Sequence, residues 1–147
     1  MLELFTLTTV RRLWLQHVLN SAARIIYGTS KLEHITPLLR NLHWLRVPQR
    51  ITFKVSLLMF KVMNGLAPQY LVDLCEPVTC RGKYNLRSAD KAQVLVPCSR
   101  SKFGERSFSV AGPSCWNSLP DSVRNAPSVD AFKKRLKTHL FALSYNF

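Results

Sequence analysis

The chain has 147 residues, of which 47% are hydrophobic, so it is long enough to bury the core of one globular domain. Its 21 Lys and Arg residues against 8 Asp and Glu residues give a formal net charge of +13 at pH 7. That positive field favours nucleic acid or an anionic membrane surface as partner, and a fragment separated from an acidic partner surface is the alternative. No apolar run approaches the roughly 18 residues of a membrane span, so we expect no membrane insertion.

Hydrophobic periodicity predicts a helical bundle from residue 9 to residue 77. Apolar side chains recur every three or four positions over residues 10–27, 31–44, 51–63 and 69–75. Thr8 or Thr9 is expected to cap the first helix, and Pro48 is suited to the first position of the third. Gly28 and Gly65 are expected to end the first and third helices with positive φ.

The cysteines and the N-terminus bear on metals and on cellular compartment. Cys75 and Cys80 are separated by four residues rather than the two of a zinc ribbon, and no histidine follows at finger spacing. The sequence therefore predicts no metal site and no cofactor. Glu3 occupies a region where a secretory signal carries positive charge, so reduced thiols in the nucleus or cytoplasm are expected, without a choice between the two.

Beyond residue 77 the composition changes. Residues 78–93 are polar, basic and aperiodic, and are predicted to form a basic linker. Residues 94–147 are predicted to form a compact C-terminal cap, in which residues 94–96 and 107–110 pair as a short β element. The predicted fold class is therefore mainly α with a small β element.

Proline and tryptophan organise the predicted cap. Pro113 and Pro120 are each expected to begin a turn of helix, because proline fixes φ and needs no hydrogen-bond partner there. Trp116, set between these breaks, is expected to fill a small core. Ser128 is predicted to cap a terminal basic amphipathic helix, with Asp130 in its first turn.

The sequence carries no recognisable catalytic constellation. Two-metal nucleotidyl transfer needs several converging carboxylates, but the acidic residues are isolated from one another along the chain. The phosphate-binding loop GxxxxGK[ST], the GxSxG elbow and the HExxH motif are also missing. A Cys or Ser nucleophile with a distant His stays open, although no residue points to one. We therefore predict that the chain is not an enzyme.

The basic residues fall into four groups, three of which have an aromatic neighbour (Trp14, Tyr84 or Phe103) that is able to stack on bases. Solvated faces that keep a hydrophobic chain soluble are the alternative interpretation. The residues predicted to contact RNA or DNA are Arg12, Arg24, Arg81, Lys83, Arg87, Arg100, Lys102, Arg106, Lys133, Lys134, Arg135 and Lys137.

A series of short motifs in fixed order resembles a known family over residues 12–141. The motifs are LQHV (15–18), HITPLL (34–39), LHWL (42–45), NGLAP (64–68), LRS (86–88), WNSLP (116–120) and the basic helix that ends at Phe141. This order resembles the region downstream of the reverse transcriptase palm in LINE-like, non-LTR retrotransposon polyproteins of the jockey-like kind.

The resemblance implies a thumb-like helical bundle followed by a region that grips template RNA or target DNA. The palm, whose adjacent aspartates hold the metals, has no counterpart in this sequence, so no catalytic residue carries over. Residues 1–8 lie outside the pattern and are interpreted as a truncation junction. The chain is thus predicted to be a catalytically inactive remnant of an RNA-directed DNA polymerase, with nonspecific RNA or DNA binding and contact with a palm supplied in trans. A protein-interaction module that docks through apolar helices and a decayed element without function are the alternatives.

Overall fold

Residues 3–76 and 93–145 are described by a computed structural model, and the mainly α prediction is confirmed. The chain divides into two compact units, Met1–Ile51 with Thr138–Phe147, and Thr52–Lys137. The predicted boundaries at residues 77 and 93 stay predictions, because residues 77–92 lie outside the described ranges. The helices are α1 (Glu3–Tyr27), α2 (Ile35–Asn41), α3 (Val47–Met63), α4 (Gln69–Val72), α5 (Phe108–Asn117), α6 (Asp121–Arg124) and α7 (Val129–Tyr145), with a 3₁₀ turn at Gly104–Arg106.

Two helices of the first unit differ in length from their predictions. Helix α1 begins at Glu3, so the prediction that Thr8 or Thr9 caps it is wrong. The segment before these threonines contains neither Gly nor Pro, and nothing in it stops a helix. Helix α2 covers Ile35–Asn41 rather than residues 31–44. Its third residue is Pro37, and proline is tolerated only in the first turn, so the helix starts no earlier.

Three helices are each followed by a residue in the left-handed conformation. Gly28 (φ 61°) and Gly65 (φ 66°) terminate α1 and α3, as predicted, and His43 (φ 52°) terminates α2. At each of these helix ends, the N–H of the residue after the left-handed one donates to the carbonyl oxygen five positions earlier, as in the Schellman motif. The bonds are Thr29 N to Arg24 O (3.1 Å), Trp44 N to Leu39 O (2.9 Å) and Leu66 N to Lys61 O (2.8 Å). The His43 ring stacks on Phe141, with centroids 5.6 Å apart, which helps to hold this unfavourable conformation.

The core of the first unit is small. Ala23, Leu38 and Leu39 are buried there, and partly buried side chains pack against them, namely Leu19, Ile35, Leu42, Trp44 and Tyr145. The Tyr145 hydroxyl donates to the Trp44 carbonyl oxygen at 2.7 Å. This hydrogen bond attaches the last turn of α7 to the segment that follows α2.

Replacing Tyr145 with phenylalanine is expected to lower the free energy of unfolding by about 1 kcal/mol near neutral pH, because one hydrogen bond is lost. Burial raises the pKa of the Tyr145 phenol, and Arg46 partly opposes the shift. A raised pKa means that the protonated phenol contributes stability below the ordinary tyrosine value of about 10 and loses it as pH rises through the folded-state pKa. The difference between wild type and Tyr145→Phe should therefore shrink above about pH 10.

Urea denaturation at neutral and alkaline pH measures this difference. Tyr27→Phe is the matched control, since Tyr27 is 41% exposed in the same unit and its replacement should leave the unfolding free energy within about 0.5 kcal/mol. A Tyr145→Phe penalty that stays constant across the alkaline range would contradict the assignment.

An aromatic cluster forms the core of the second unit. The ring centroid of Phe132 lies 4.3 Å from that of Phe60 and 6.2 Å from that of Trp116. Trp116 is 3% exposed, and this confirms that it fills a core. Helix α5 approaches α3 closely, since a Cβ built on Gly112 would lie 2.7 Å from Met59 Sδ. A side chain at position 112 would therefore displace the Met59 side chain.

The predicted β pair is wrong. Residues 108–110 form the first turn of α5, and Ser107 is its N-cap residue. Within the described ranges only Val94 adopts a β-bridge. The amide of Asn117 satisfies the backbone of Val94 at both groups: Val94 N donates to Asn117 Oδ1 (3.0 Å), and Asn117 Nδ2 donates to Val94 O (2.8 Å). A side chain from α5 thus bonds to Val94, and residues 107–110 contribute no strand.

The prolines and the serine that were predicted to begin helices differ in where they lie. Pro113 lies inside α5, so the prediction that it begins a helical turn is wrong; the buried ring occupies the core side of the helix. Pro120 directly precedes α6, and Pro48 is the second residue of α3. The Ser128 cap is confirmed, because the Ala131 N–H donates to Ser128 Oγ at 3.2 Å.

Replacing Asn117 with alanine is expected to lower the free energy of unfolding by about 2 kcal/mol, because two hydrogen bonds vanish and buried Val94 retains an unpaired N–H and C=O. Chemical denaturation measures the loss. Ser118→Ala is the control, since its exposed hydroxyl bonds only to the Cys115 carbonyl oxygen. A loss at Asn117 no larger than at Ser118 would show that the amide does not hold this segment.

Candidate nucleic-acid interface

Helix α7 presents three lysines to solvent. Its buried positions recur every four residues, at Phe132, Leu136 and Leu140. Because each residue advances about 100° around a helix, the exposed side chains of Lys133, Lys134 and Lys137 fall within about 100° of one another, on a side that adjoins the buried stripe. These three residues are called the α7 lysine face below.

Two contacts modify the charge around α7. Lys133 Nζ lies 3.0 Å from Asp130 Oδ1, with the two side chains 45% and 84% exposed. A pair so accessible to water contributes little, so the lysine can exchange the carboxylate for a phosphate. Arg135 lies on another side of the helix and donates from Nη1 to the Ser122 carbonyl oxygen at 2.8 Å.

Residues 99–107 form a second basic surface in the same unit. Arg100, Lys102 and Arg106 are exposed, and Phe103 is 78% exposed between them. Serine hydroxyls hold the turn through three bonds: Ser99 Oγ to Ser101 O (2.9 Å), Gly104 N to Ser101 Oγ (3.0 Å) and Ser107 Oγ to Gly104 O (2.7 Å). A side chain at position 104 would displace the Ser99 hydroxyl from its hydrogen bond to the Ser101 carbonyl oxygen.

The two predicted arginines of α1 differ in exposure. Arg12 is exposed and lines a cleft of the first unit. Arg24 is half-buried, and its Nη2 donates to the Glu33 carbonyl oxygen at 3.5 Å, beyond the end of the helix. The structure therefore gives Arg24 a contact within the fold, and its binding of phosphate stays a prediction. Arg81, Lys83 and Arg87 lie outside the described residues, as does Tyr84.

Two arginines that the sequence analysis did not single out have fixed positions in the first unit. Arg46 lies 5.5 Å from the Tyr145 ring centroid and donates from Nη2 to Thr36 Oγ1 at 3.2 Å. Arg50 lies 5.9 Å from the Trp44 ring centroid and donates from Nε to the Leu45 carbonyl oxygen at 2.9 Å. Helical periodicity does not mark either arginine as a candidate binding residue. Only the tertiary contacts show that both side chains are held in place.

Two of the three described thiols, Cys75 and Cys115, favour structural roles. Burial raises the pKa of the Cys75 and Cys115 thiols. A raised pKa disfavours the thiolate that nucleophilic attack or metal binding requires. Cys75 Sγ instead lies 3.7 Å from Met59 Sδ in the core of the second unit.

The described parts of the chain show neither a metal site nor a membrane span. Residues 3–76 and 93–145 bring no three His, Cys, Asp or Glu side chains together in a way that would hold a metal ion. In the same ranges no helix has the length and hydropathy to cross a membrane. Comparison with protein-family models, with curated proteins and with solved structures finds no match to this chain.

Proposed function

We propose that the chain is a catalytically inactive remnant of a retrotransposon RNA-directed DNA polymerase that binds RNA or DNA without sequence preference. The observation that carries the binding is the charge. Even if every one of the 8 acidic groups were paired, 13 of the 21 Lys and Arg residues would remain uncompensated. A polyanion neutralises such a surface and releases its own counterions, which is the main source of nonspecific nucleic-acid affinity.

The exposed side chains support phosphate contact rather than base reading. The α7 lysine face offers flexible ammonium groups, each of which acts as a point charge on a phosphate. Arg100, Lys102 and Arg106 add a second cationic surface in the same unit. Contacts of this kind position a nucleic acid and carry no sequence information.

The assignment to a polymerase remnant rests on the resemblance of residues 12–141. The motifs that carry it lie downstream of the palm in the parent polyproteins, so the proposal includes no polymerase activity for this chain. Contact with a palm supplied in trans is part of the same proposal.

A fluorescence anisotropy titration tests the binding. Labelled single-stranded RNA and DNA of mixed sequence are titrated with the full chain at several salt concentrations between about 50 and 300 mM. The logarithm of the association constant should fall linearly with the logarithm of salt, by about 0.7 for each phosphate contacted. Polyglutamate is the control polyanion. Absent binding, salt-independent affinity, or equal affinity for polyglutamate would each contradict the proposal.

The exposed apolar side chains of α1 favour a second candidate, a protein-interaction module. Trp14 is 69% exposed, Val18 64% and Ile25 80%. Two large apolar side chains of α3 do not extend such a surface, since Leu57 is half-buried and Phe60 is 3% exposed. Light scattering over a concentration series, on wild type and Trp14→Ser, tests this candidate. Binding of a hydrophobic dye to both proteins measures the exposed apolar surface. The candidate would be contradicted if the wild type is a monomer and Trp14→Ser binds as much dye as the wild type.

A further inference from the structure

The first unit contains a cleft of about 430 Å³, bounded by α1, α2 and the start of α3. Its volume lies within the range of small-molecule sites. Two of its lining residues, Arg12 and Arg46, carry guanidinium groups, and the described residues that line it include no Asp or Glu. The cleft is therefore complementary to an anion.

A chain of hydrogen bonds holds one further donor among the residues that line the cleft. The Val47 N–H donates to Gln16 Oε1 at 2.9 Å, and Gln16 Nε2 donates to Asn20 Oδ1 at 2.9 Å. Because the oxygen of the Asn20 amide accepts from Gln16, its Nδ2 group is the part that remains to donate to a ligand. Both amides line the cleft, so the donor is fixed before a ligand arrives.

Arg46 is also held in place. Its Nη2 donates to Thr36 Oγ1 at 3.2 Å, and its guanidinium lies 5.5 Å from the Tyr145 ring centroid. A guanidinium has five N–H groups, so several stay available for a phosphate. Leu13 and Leu39 supply an apolar wall beside these donors. A ligand that combines an anionic group with a flat, partly apolar ring carrying hydrogen-bond acceptors matches this arrangement.

We propose that the cleft binds one nucleotide unit of a single-stranded nucleic acid. Arg12 and Arg46 contact its phosphate, the base lies against Leu13 and Leu39, and Asn20 Nδ2 donates to an acceptor on the base edge. This inference rests on the proposed function for the identity of the polymer. A duplex is not accommodated, because its bases are stacked and paired and do not enter a side pocket.

Titration of the full chain with uridine 5′-monophosphate (UMP), followed by NMR, tests the site. UMP should shift the amide signals of Asn20 and Gln16, whereas uridine and inorganic phosphate should each bind at least about tenfold more weakly, since each lacks one half of the recognition. An acidic hexapeptide is included as a competitor. If the peptide binds more tightly than UMP, the cleft is a peptide site and the proposal is overturned.

Two variants separate this inference from general charge. Asn20→Asp keeps the acceptor for Gln16 and replaces the donor with a carboxylate, so UMP affinity should fall at least about tenfold. Asn41→Asp makes the same charge change at an exposed position of α2 away from the lining residues, and it should leave UMP affinity within about twofold. If Asn20→Asp does not fold, Arg12→Gln replaces it as the test variant, because Arg12 is exposed. This variant should weaken the binding of UMP but not the binding of uridine.

The outcomes are distinguishable from those of the polymer titration. Salt-sensitive RNA affinity without a UMP response, or with UMP affinity equal in Asn20→Asp and Asn41→Asp, overturns the cleft and leaves the proposed function standing. A UMP response that Asn20→Asp abolishes supports the cleft, even where RNA affinity proves insensitive to salt and the proposed function fails.

Discussion

Replacing Phe132 with alanine is expected to lower the free energy of unfolding by about 3–5 kcal/mol. The side chain is 0% exposed, and its ring contacts Phe60 and Trp116 at centroid distances of 4.3 and 6.2 Å. Truncation removes the apolar transfer energy of the ring and leaves a cavity between two rigid aromatic groups that cannot collapse fully. Since small domains are stable by only about 5–15 kcal/mol, this loss is a large share of the total.

Urea denaturation followed by far-ultraviolet circular dichroism measures the change in the free energy of unfolding, because the described chain is mostly helical. Phe103→Ala is the matched control: the same atoms are removed from a side chain that is 78% exposed, and the loss should stay within about 0.5 kcal/mol. Equal effects at the two positions would show that the aromatic cluster does not stabilise the second unit.

Features governed by local rules were predictable from the sequence. Gly28 and Gly65 end helices because glycine adopts positive φ without steric cost, and Ser128 caps α7 because its hydroxyl reaches an unpaired N–H. Trp116 was identified as a core residue from its size and its proline-rich surroundings. Each of these inferences needs only a few neighbouring residues.

Features that depend on distant residues were not predictable. Val94 bonds to a side-chain amide 23 positions away, and no alternation pattern reveals such a contact. Pro113 is tolerated inside α5 although proline usually interrupts helices, because burial of its ring offsets part of the lost hydrogen bond. His43 ends α2 in a conformation that favours glycine, with Phe141 stacked on its ring.

The candidate sites divide in the same way. The exposure of the α7 lysine face follows from helical periodicity alone, so the sequence indicated it correctly. The cleft of the first unit required the structure, because Arg46 and Asn20 come from separate elements and their orientation depends on Thr36 and Gln16. The sequence thus identified cationic side chains by their residue type. Only the tertiary contacts showed that the Arg46 guanidinium and the Asn20 amide are held in fixed orientations.

Replacing Lys133, Lys134 and Lys137 together with glutamine is expected to weaken RNA binding by roughly 10- to 100-fold at about 50 mM salt and to reduce the salt slope by about 2. Each lysine of this exposed face that contacts a phosphate releases about 0.7 counterion from a single strand. The loss of three contacts therefore accounts for the expected reduction of about 2 in the salt slope. Glutamine keeps the helix propensity, and the Lys133–Asp130 pair that is also removed contributes little to stability.

A second triple variant decides whether position or total charge matters. Lys31 lies in the turn between α1 and α2, and Lys54 and Lys61 lie on α3; their replacement with glutamine lowers the net charge by the same amount. If α7 is the interface, this variant should retain affinity within about threefold and keep most of the salt slope. Equal losses in the two variants would mean that binding follows net charge over the whole surface, and the α7 lysine face would then have no special role. A larger loss in the control would move the interface away from α7.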